Sequence, residues 1–178
     1  MKKRLVLCGC AASGKDYARK ILTEQYGMKY EISYTSRPPR PDEIDNVDYY
    51  FMSREDFVHE IQNEFFYEYV EFNGWYYGTA KWQFEKGKLF IMTPAGISYI
   101  KPEDRPETLV VYFDIPESVR RSRLHMRNDT NDKIDRRIVA DIGDFKDFKD
   151  FDIRITDPYF KPFWLVDVIN TYQLNLIF

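Results

Sequence analysis

The apolar run Leu5-Val6-Leu7-Cys8 passes without a spacer into Gly9-Cys10-Ala11-Ala12-Ser13-Gly14-Lys15. A strand too apolar to face water therefore has to deliver a loop bounded by glycines, with a lysine directly after the second. Gly9 and Gly14 let the backbone turn tightly enough for successive N–H groups to face an anion. Lys15 adds a point charge, and the helical run Tyr17-Ala18-Arg19-Lys20-Ile21-Leu22 adds the positive end of a helix dipole. Residues 9 to 16 are thus expected to hold the phosphates of a nucleotide, with Gly9, Cys10, Ala11, Ala12, Ser13, Gly14, Lys15 and Asp16 as contacts. Asp16 stands where this pattern expects a Mg²⁺-binding Ser or Thr. A carboxylate in the first turn of a helix is favoured by the dipole and is a hard-cation ligand, so Asp16 is the candidate metal residue.

The chain has 178 residues, of which 44% are hydrophobic and 31% charged, a size and balance that suit one α/β domain with a core of its own. A net charge of −3 offers no global field for a nucleic-acid polymer. Cys8 and Cys10 read as small buried residues rather than as a disulfide or metal pair. No apolar run approaches the roughly 20 residues of a membrane span, and a cytoplasmic location is expected.

Strand and helix alternate from the start. The pattern predicts strands at 4–8, 89–93, 108–115 and 152–156, and helices at 15–26, 53–64, 80–86, 116–127 and 132–150, with an extended stretch over 30–36. Ser53 is a helix N-cap with Asp56 in the capping-box position. Strands 66–72 and 75–79 flank Asn73-Gly74, a hairpin signal. Phe145, Phe148 and Phe151 recur every third residue, as a packed stripe on a helix would.

A second group of residues, Ser33, Arg37, Arg40, Tyr49, Glu68, Tyr77 and Thr79, shares chemistry suited to a polar ligand. Pro38 and Pro39 favour a polyproline II path, and about three residues per turn would bring Arg37 and Arg40 to one side. Two guanidinium forks facing one way make a clamp for a dianion, which the hydroxyls of Tyr49 and Tyr77 could complete. The segment by itself also has the spacing of a Pro-x-x-Pro ligand, between Pro38 and Pro41.

The run from Ser33 to Glu43, then Val47-Asp48-Tyr49-Tyr50-Phe51, Glu68 and Gly74-Trp75-Tyr76-Tyr77-Gly78-Thr79, resembles guanylate kinase, and with the phosphate loop and an arginine-bearing region the likeness covers nearly the whole chain. This resemblance implies a three-layer P-loop NTPase α/β fold with a parallel sheet core. It also implies a small mixed α/β insertion for the nucleoside monophosphate and an arginine-bearing lid. The corresponding divisions are a core of 1–32 and 80–178, a GMP-binding insertion of 33–79 and a lid at about 124–137. The implied reaction is ATP-dependent phosphorylation of GMP, and of dGMP, with Mg²⁺, in a monomer or homodimer.

In the same resemblance Arg37, Arg40, Tyr49 and Tyr77 hold the GMP phosphate, and Ser33, Glu68 and Thr79 read its base, with Gly78 and Thr93 in the same pocket. One carboxylate can accept guanine N1–H and its exocyclic amine together, while hydroxyls can donate to O6. Arg127 and Arg137 correspond to lid arginines that, with Lys15 and Arg37, stabilise the transferring phosphoryl group. At least three of the arginines from Arg120 to Arg137 are expected to serve ordinary helix-surface ion pairs. Where the family carries two acids at the end of the 89–93 strand, this chain has Ile91 and Thr93, which suggests that the metal-organising carboxylate has moved to Asp16. Asp114 is a weaker metal candidate, and Thr156-Asp157 are candidates for the adenine of ATP. His59 and His125 are given no chemical role. The rival readings are a kinase of other base specificity and a guanylate-kinase-like module that binds a protein or phosphopeptide at the arginine clamp.

Overall fold

The computed structural model describes residues 3–72, 74–126 and 134–171. Strand β1 (Arg4–Gly9) is buried along its whole length. That is possible because it lies between β6 (Leu89–Ile91) and β7 (Thr108–Phe113), with β8 (Ile153–Ile155) outside β7, in a parallel sheet of order β6-β1-β7-β8. Alternate residues serve two separate cores. Leu5, Leu7, Leu109 and Val111 pack against Ala18 and Leu22 of α1 (Lys15–Glu24) and against Leu165 and Ile169 of α7 (Pro162–Thr171). Val6, Cys8 and Val110 face the other way, onto Phe84, Phe90 and Ile97. A strand covered on both faces needs an unbroken apolar run, which is what the sequence supplies.

The second sheet lies between β1 and β6 in sequence. It has the order β3-β2-β5-β4, from β2 (Tyr34–Thr35), β3 (Tyr50–Phe51), β4 (Phe66–Phe72) and β5 (Trp75–Ala80). β2 pairs in parallel with β3 and antiparallel with β5, so this sheet is mixed. Helix α2 (Arg54–Gln62) covers it and starts as the capping pattern predicts: Ser53 Oγ accepts from Asp56 N–H at 3.0 Å and donates to the Asp56 carboxylate at 2.7 Å. Phe57 of this helix stacks on Phe66 and Tyr76, with ring centroids 4.3 and 5.3 Å apart.

Some element ends differ from expectation. The strand expected over 89–93 stops at Ile91, because Thr93 caps a short helix α4 (Pro94–Ser98), its Oγ1 accepting Gly96 N–H at 3.1 Å. Pro94 fills a first-turn position whose N–H would have had no partner. Between them α3 spans Lys81–Lys86, and α5 (Glu117–Met126) and α6 (Ile134–Phe145) follow β7. α6 ends at Phe145 rather than at 150, so the aromatic stripe is packed but not helical. Phe145, Phe148 and Phe151 close around Tyr112 with centroids 5.6, 5.3 and 5.4 Å away, a cluster that a turn serves better than a straight helix. Among the described residues no helix is long and apolar enough to cross a membrane.

Because Phe57 is fully buried and joins α2 to β4 and β5, Phe57→Ala is expected to cost about 3–5 kcal/mol. Urea denaturation monitored by far-UV circular dichroism measures that loss; a change below about 1 kcal/mol would show that the helix does not depend on this stack.

Candidate functional site

The loop after β1 is held from outside by groups that fix its peptide planes. Gly14 precedes α1 at φ 104°, and Ala12 takes a positive φ of 59°. Gly9 has no room for a side chain, since a Cβ there would lie 2.9 Å from the carbonyl oxygen of Phe113. Arg123 donates from Nη1 to the carbonyls of Ala12 at 3.0 Å and Ser13 at 3.3 Å, and from Nη2 to that of Pro158. With the Ser13 carbonyl turned to Arg123, the Gly14 N–H across the same planar peptide points the other way. Lys15 Nζ rests 3.3 Å from the Cys10 carbonyl oxygen and 3.9 Å from the Asp16 carboxylate.

Asp141, on α6, has no role in the sequence reading, yet it grips this loop. Its Oδ2 accepts the Ala11 N–H at 2.9 Å and Arg120 Nη1 at 3.0 Å. Arg120 also donates from Nε to the Ile115 carbonyl, and both partners of the ion pair are buried. Burial pushes the Asp141 carboxyl up, while the Ala11 N–H and the positive charges of Arg120, Lys15 and Arg137 oppose that shift. Burial likewise raises the Cys10 thiol to about 12, with Asp141 adding to it, and raises Cys8 further. Both cysteines are free and buried, in keeping with their reading as small buried residues rather than a disulfide.

The mixed sheet presents the second group of residues. Arg37 and Arg40 share one carboxylate, Glu43: Arg37 Nη2 lies 2.8 Å from each of its oxygens and Arg40 Nη1 is 3.3 Å from Oε1. The Arg37 guanidinium also sits 5.4 Å from the Tyr49 ring centroid, and Tyr49 and Tyr77 meet edge to face at 6.2 Å. Burial, with Tyr77 and Asp16 nearby, raises the Tyr49 phenol to about 12, so it is a neutral O–H donor at physiological pH. Glu68 is buried and accepts the Thr79 hydroxyl at 2.7 Å. Burial raises its carboxyl from 4.5 to about 7, against the lowering effect of that hydrogen bond.

One cleft of about 650 Å³ joins the two groups. From the loop side it is lined by Gly9, Ala11, Ala12, Lys15 and Asp16, and from the sheet side by Ser33, Arg37, Arg40, Tyr49 and Tyr77. Glu68, Gly78 and Thr93 lie on its wall, and Arg137 of α6 reaches it one turn ahead of Asp141. Four expected residues are outside the lining. Cys10 and Ser13 are buried, and Gly14 is half-buried beside the Phe160 ring. Thr79, 2% exposed, has its hydroxyl proton committed to Glu68 rather than available to a base. Gly78 is explained by packing, since a Cβ there would meet Phe66 at 2.9 Å and Phe57 at 3.1 Å.

Asp114 is paired with Arg154, which donates to its carboxylate from Nε at 2.8 Å and again from Nη2, and it is not among the residues that line the cleft. Asp157 caps a turn, accepting the Tyr159 N–H at 2.8 Å, and neither it nor Thr156 lines the cleft. Of the arginines expected in helix-surface ion pairs, Arg121 makes one, with Glu117 and Asp135; Arg120 is instead buried on Asp141, and Arg123 is spent on the main-chain carbonyls of Ala12, Ser13 and Pro158. Arg127 and half of the expected lid, residues 127–133, fall outside the described residues. His59 is exposed on α2 beside Asn63 and Glu60. Among the described residues no three His, Cys, Asp or Glu side chains converge as a metal cage. Asp16, about half exposed on the cleft wall, fits Mg²⁺ in the way that ion is ordinarily held beside phosphates, by one or two carboxylates with substrate and water oxygens.

Between pH 4.5 and about 7 the folded chain holds a proton on Glu68 that the unfolded chain has lost, so this residue lowers stability as pH rises through that window. Glu68→Gln cannot ionise, and its stability relative to wild type should climb between pH 5 and pH 8. Urea denaturation at a series of pH values tests this, and parallel pH profiles for the two proteins would contradict it.

The family model described as guanylate kinase matches residues 1–161. The chain is 32% identical over 147 residues to a guanylate kinase of Thermus thermophilus, an alignment covering 78% of this chain and 66% of that protein, so it spans just under two thirds of that relative's length. It is 32% identical over 169 residues to a guanylate kinase of Nostoc sp., covering 89% and 84%. A crystal structure of guanylate kinase from Anaplasma phagocytophilum superposes with a TM-score of 0.75 at 20% identity, covering 98% of this chain and 87% of that one, and bears out the fold. With the glycine-bounded loop after β1 and a guanidinium pair on one cleft, and a family model matching residues 1–161, this chain belongs to the guanylate kinase family.

Proposed function

We propose that the protein transfers the terminal phosphoryl group of ATP to GMP, and to dGMP, by direct in-line displacement. The observation that carries this reading is the single cleft on which Lys15 and the Arg37–Arg40 pair meet. A phosphoryl group crossing it leaves a loop built from main-chain amides and arrives at an oxygen held by guanidiniums and tyrosine hydroxyls. The acceptor phosphate is already largely ionised near neutral pH, so no histidine or cysteine base is needed. Catalysis then rests on placement and charge neutralisation by Lys15, Arg37, Arg137 and Arg127. Asp16 would hold Mg²⁺, which when bound would further neutralise the phosphate charge. In this reading residues 1–32 and 80–178 form the core, 33–79 the acceptor-binding insertion and about 124–137 the lid, acting in the cytoplasm as a monomer or homodimer.

On the acceptor side Ser33 and the ionised Glu68 take the guanine edge, Glu68 accepting N1–H and the exocyclic amine. Adenine would leave that buried carboxylate without a donor, a mismatch that discriminates strongly. A kinase of broader purine specificity is the second reading. It is favoured by Ile91 and Thr93 at a strand end where the family carries acids, and by the commitment of the Thr79 hydroxyl to Glu68. Retention of Gly9, Gly14 and Lys15 speaks against a purely protein-binding module.

A coupled ADP-release assay with each nucleoside monophosphate separates these readings. GMP and dGMP are expected to lead; turnover with no acceptor would favour the module, and a preference outside those two would favour other specificity. Glu68→Gln is expected to raise the GMP KM at least tenfold with ATP binding little changed, and an unaltered GMP KM would remove Glu68 from base recognition. Titration of Mg²⁺ tests Asp16 separately. Asp16→Asn should raise the Mg²⁺ requirement sharply while Asp16→Ser is tolerated, and equal behaviour of the two variants would refute the metal role.

A further inference from the structure

Glu43 stands between the two arginines of the clamp, and no role was assigned to it from the sequence. Its backbone closes a turn, with its N–H on the Arg40 carbonyl at 3.0 Å. Its carboxylate then collects donors from three directions. Arg37 Nη2 lies 2.8 Å from each oxygen, Arg40 Nη1 lies 3.3 Å from Oε1, and the Arg40 main-chain N–H reaches Oε2 at 2.8 Å. The Arg37 and Glu43 side chains are only 12% and 15% exposed, so this is a partly desolvated ion pair rather than a solvated surface contact.

Two guanidiniums lining one cleft repel each other and, on long side chains, would separate into solvent unless something holds them. A carboxylate shared between them removes the repulsion and leaves one net positive charge for an incoming dianion. It also leaves donors available: among the described residues Arg37 Nε, Arg40 Nε and Arg40 Nη2 make no hydrogen bond to the protein. We infer that Glu43 is a positioning residue, which holds Arg37 and Arg40 together as one clamp for the acceptor's phosphate and acts through them rather than on the substrate. This inference rests on the acceptor reading proposed above. The opposite arrangement is a carboxylate that competes with the phosphate for the same N–H groups, and it predicts the opposite sign on removal.

Calorimetric titration of wild type and Glu43→Gln with guanosine and with GMP, in the absence of ATP, decides between them. Loss of the shared carboxylate should weaken GMP binding about tenfold and leave guanosine binding within about twofold, because the base pocket is untouched. Tighter or unchanged GMP binding in Glu43→Gln would overturn the inference, and so would a parallel loss for guanosine, which would mean that Glu43 supports the whole insertion. The wild type separates this inference from the reading beneath it. If GMP binds no better than guanosine, the clamp itself is wrong and the inference falls with it; if the phosphate gain is present and survives Glu43→Gln, only the inference falls.

Discussion

Burial of β1 on both faces is the constraint from which the site follows. A strand with Leu5 and Leu7 in one core and Val6 and Cys8 in the other has no freedom to shift, because a slip of one residue would exchange the two faces. Its carboxyl end, between β6 and β7, therefore has a fixed position. Gly9, pressed against the Phe113 carbonyl, converts that position into a loop of defined path. Ligands of open parallel sheets bind beyond the carboxyl ends of the strands, and the cleft here opens at that edge.

The two halves of the cleft are prepared by the same device, an internal carboxylate that restrains cationic or N–H groups before any ligand arrives. On the loop side Asp141 restrains the Ala11 peptide and is neutralised by Arg120. On the sheet side Glu43 restrains Arg37 and Arg40. Neither the loop nor the clamp then has to be ordered at the expense of binding. Arg123 contributes to the same end through carbonyls instead of charge pairs, fixing the Ala12 and Ser13 peptides from the outer side of the loop.

Features that depend on local chemistry were legible in the sequence. The strand, loop and helix at 4–24 follow from an apolar run and two glycines, and the Ser53 cap follows from a serine three residues before an acid. What could not be read were contacts that bring distant elements together. Asp141 lies 130 residues from the peptide it holds, and only the packing of α6 against the loop reveals it. The strand expected over 89–93 stops short of Thr93 for a local reason. Thr93 precedes a proline, and Thr-Pro is a helix-start signal that competes with continuation of a strand. Glu43 left a trace, three residues after Arg40 and six after Arg37, but the spacing of charges alone does not separate a shared carboxylate from a solvated one. The stripe at Phe145, Phe148 and Phe151 was assigned the right fate and the wrong conformation, since periodicity of three also describes residues gathered by a turn around Tyr112.

The Arg120–Asp141 pair has a bearing on how sequences of this kind can change over time. Removing Arg120 alone leaves the Asp141 carboxylate with only the Ala11 N–H and the nearby charges of Lys15 and Arg137 to offset its burial, and removing Asp141 alone leaves the Arg120 guanidinium buried against the Ile115 carbonyl; either step costs about 3–5 kcal/mol. An apolar couple at both places would avoid the unmatched charge but would also strip the Ala11 N–H of its acceptor. The two positions are therefore tied to one another and to the loop as a unit of inheritance, and the single-step genotypes form a gap around it.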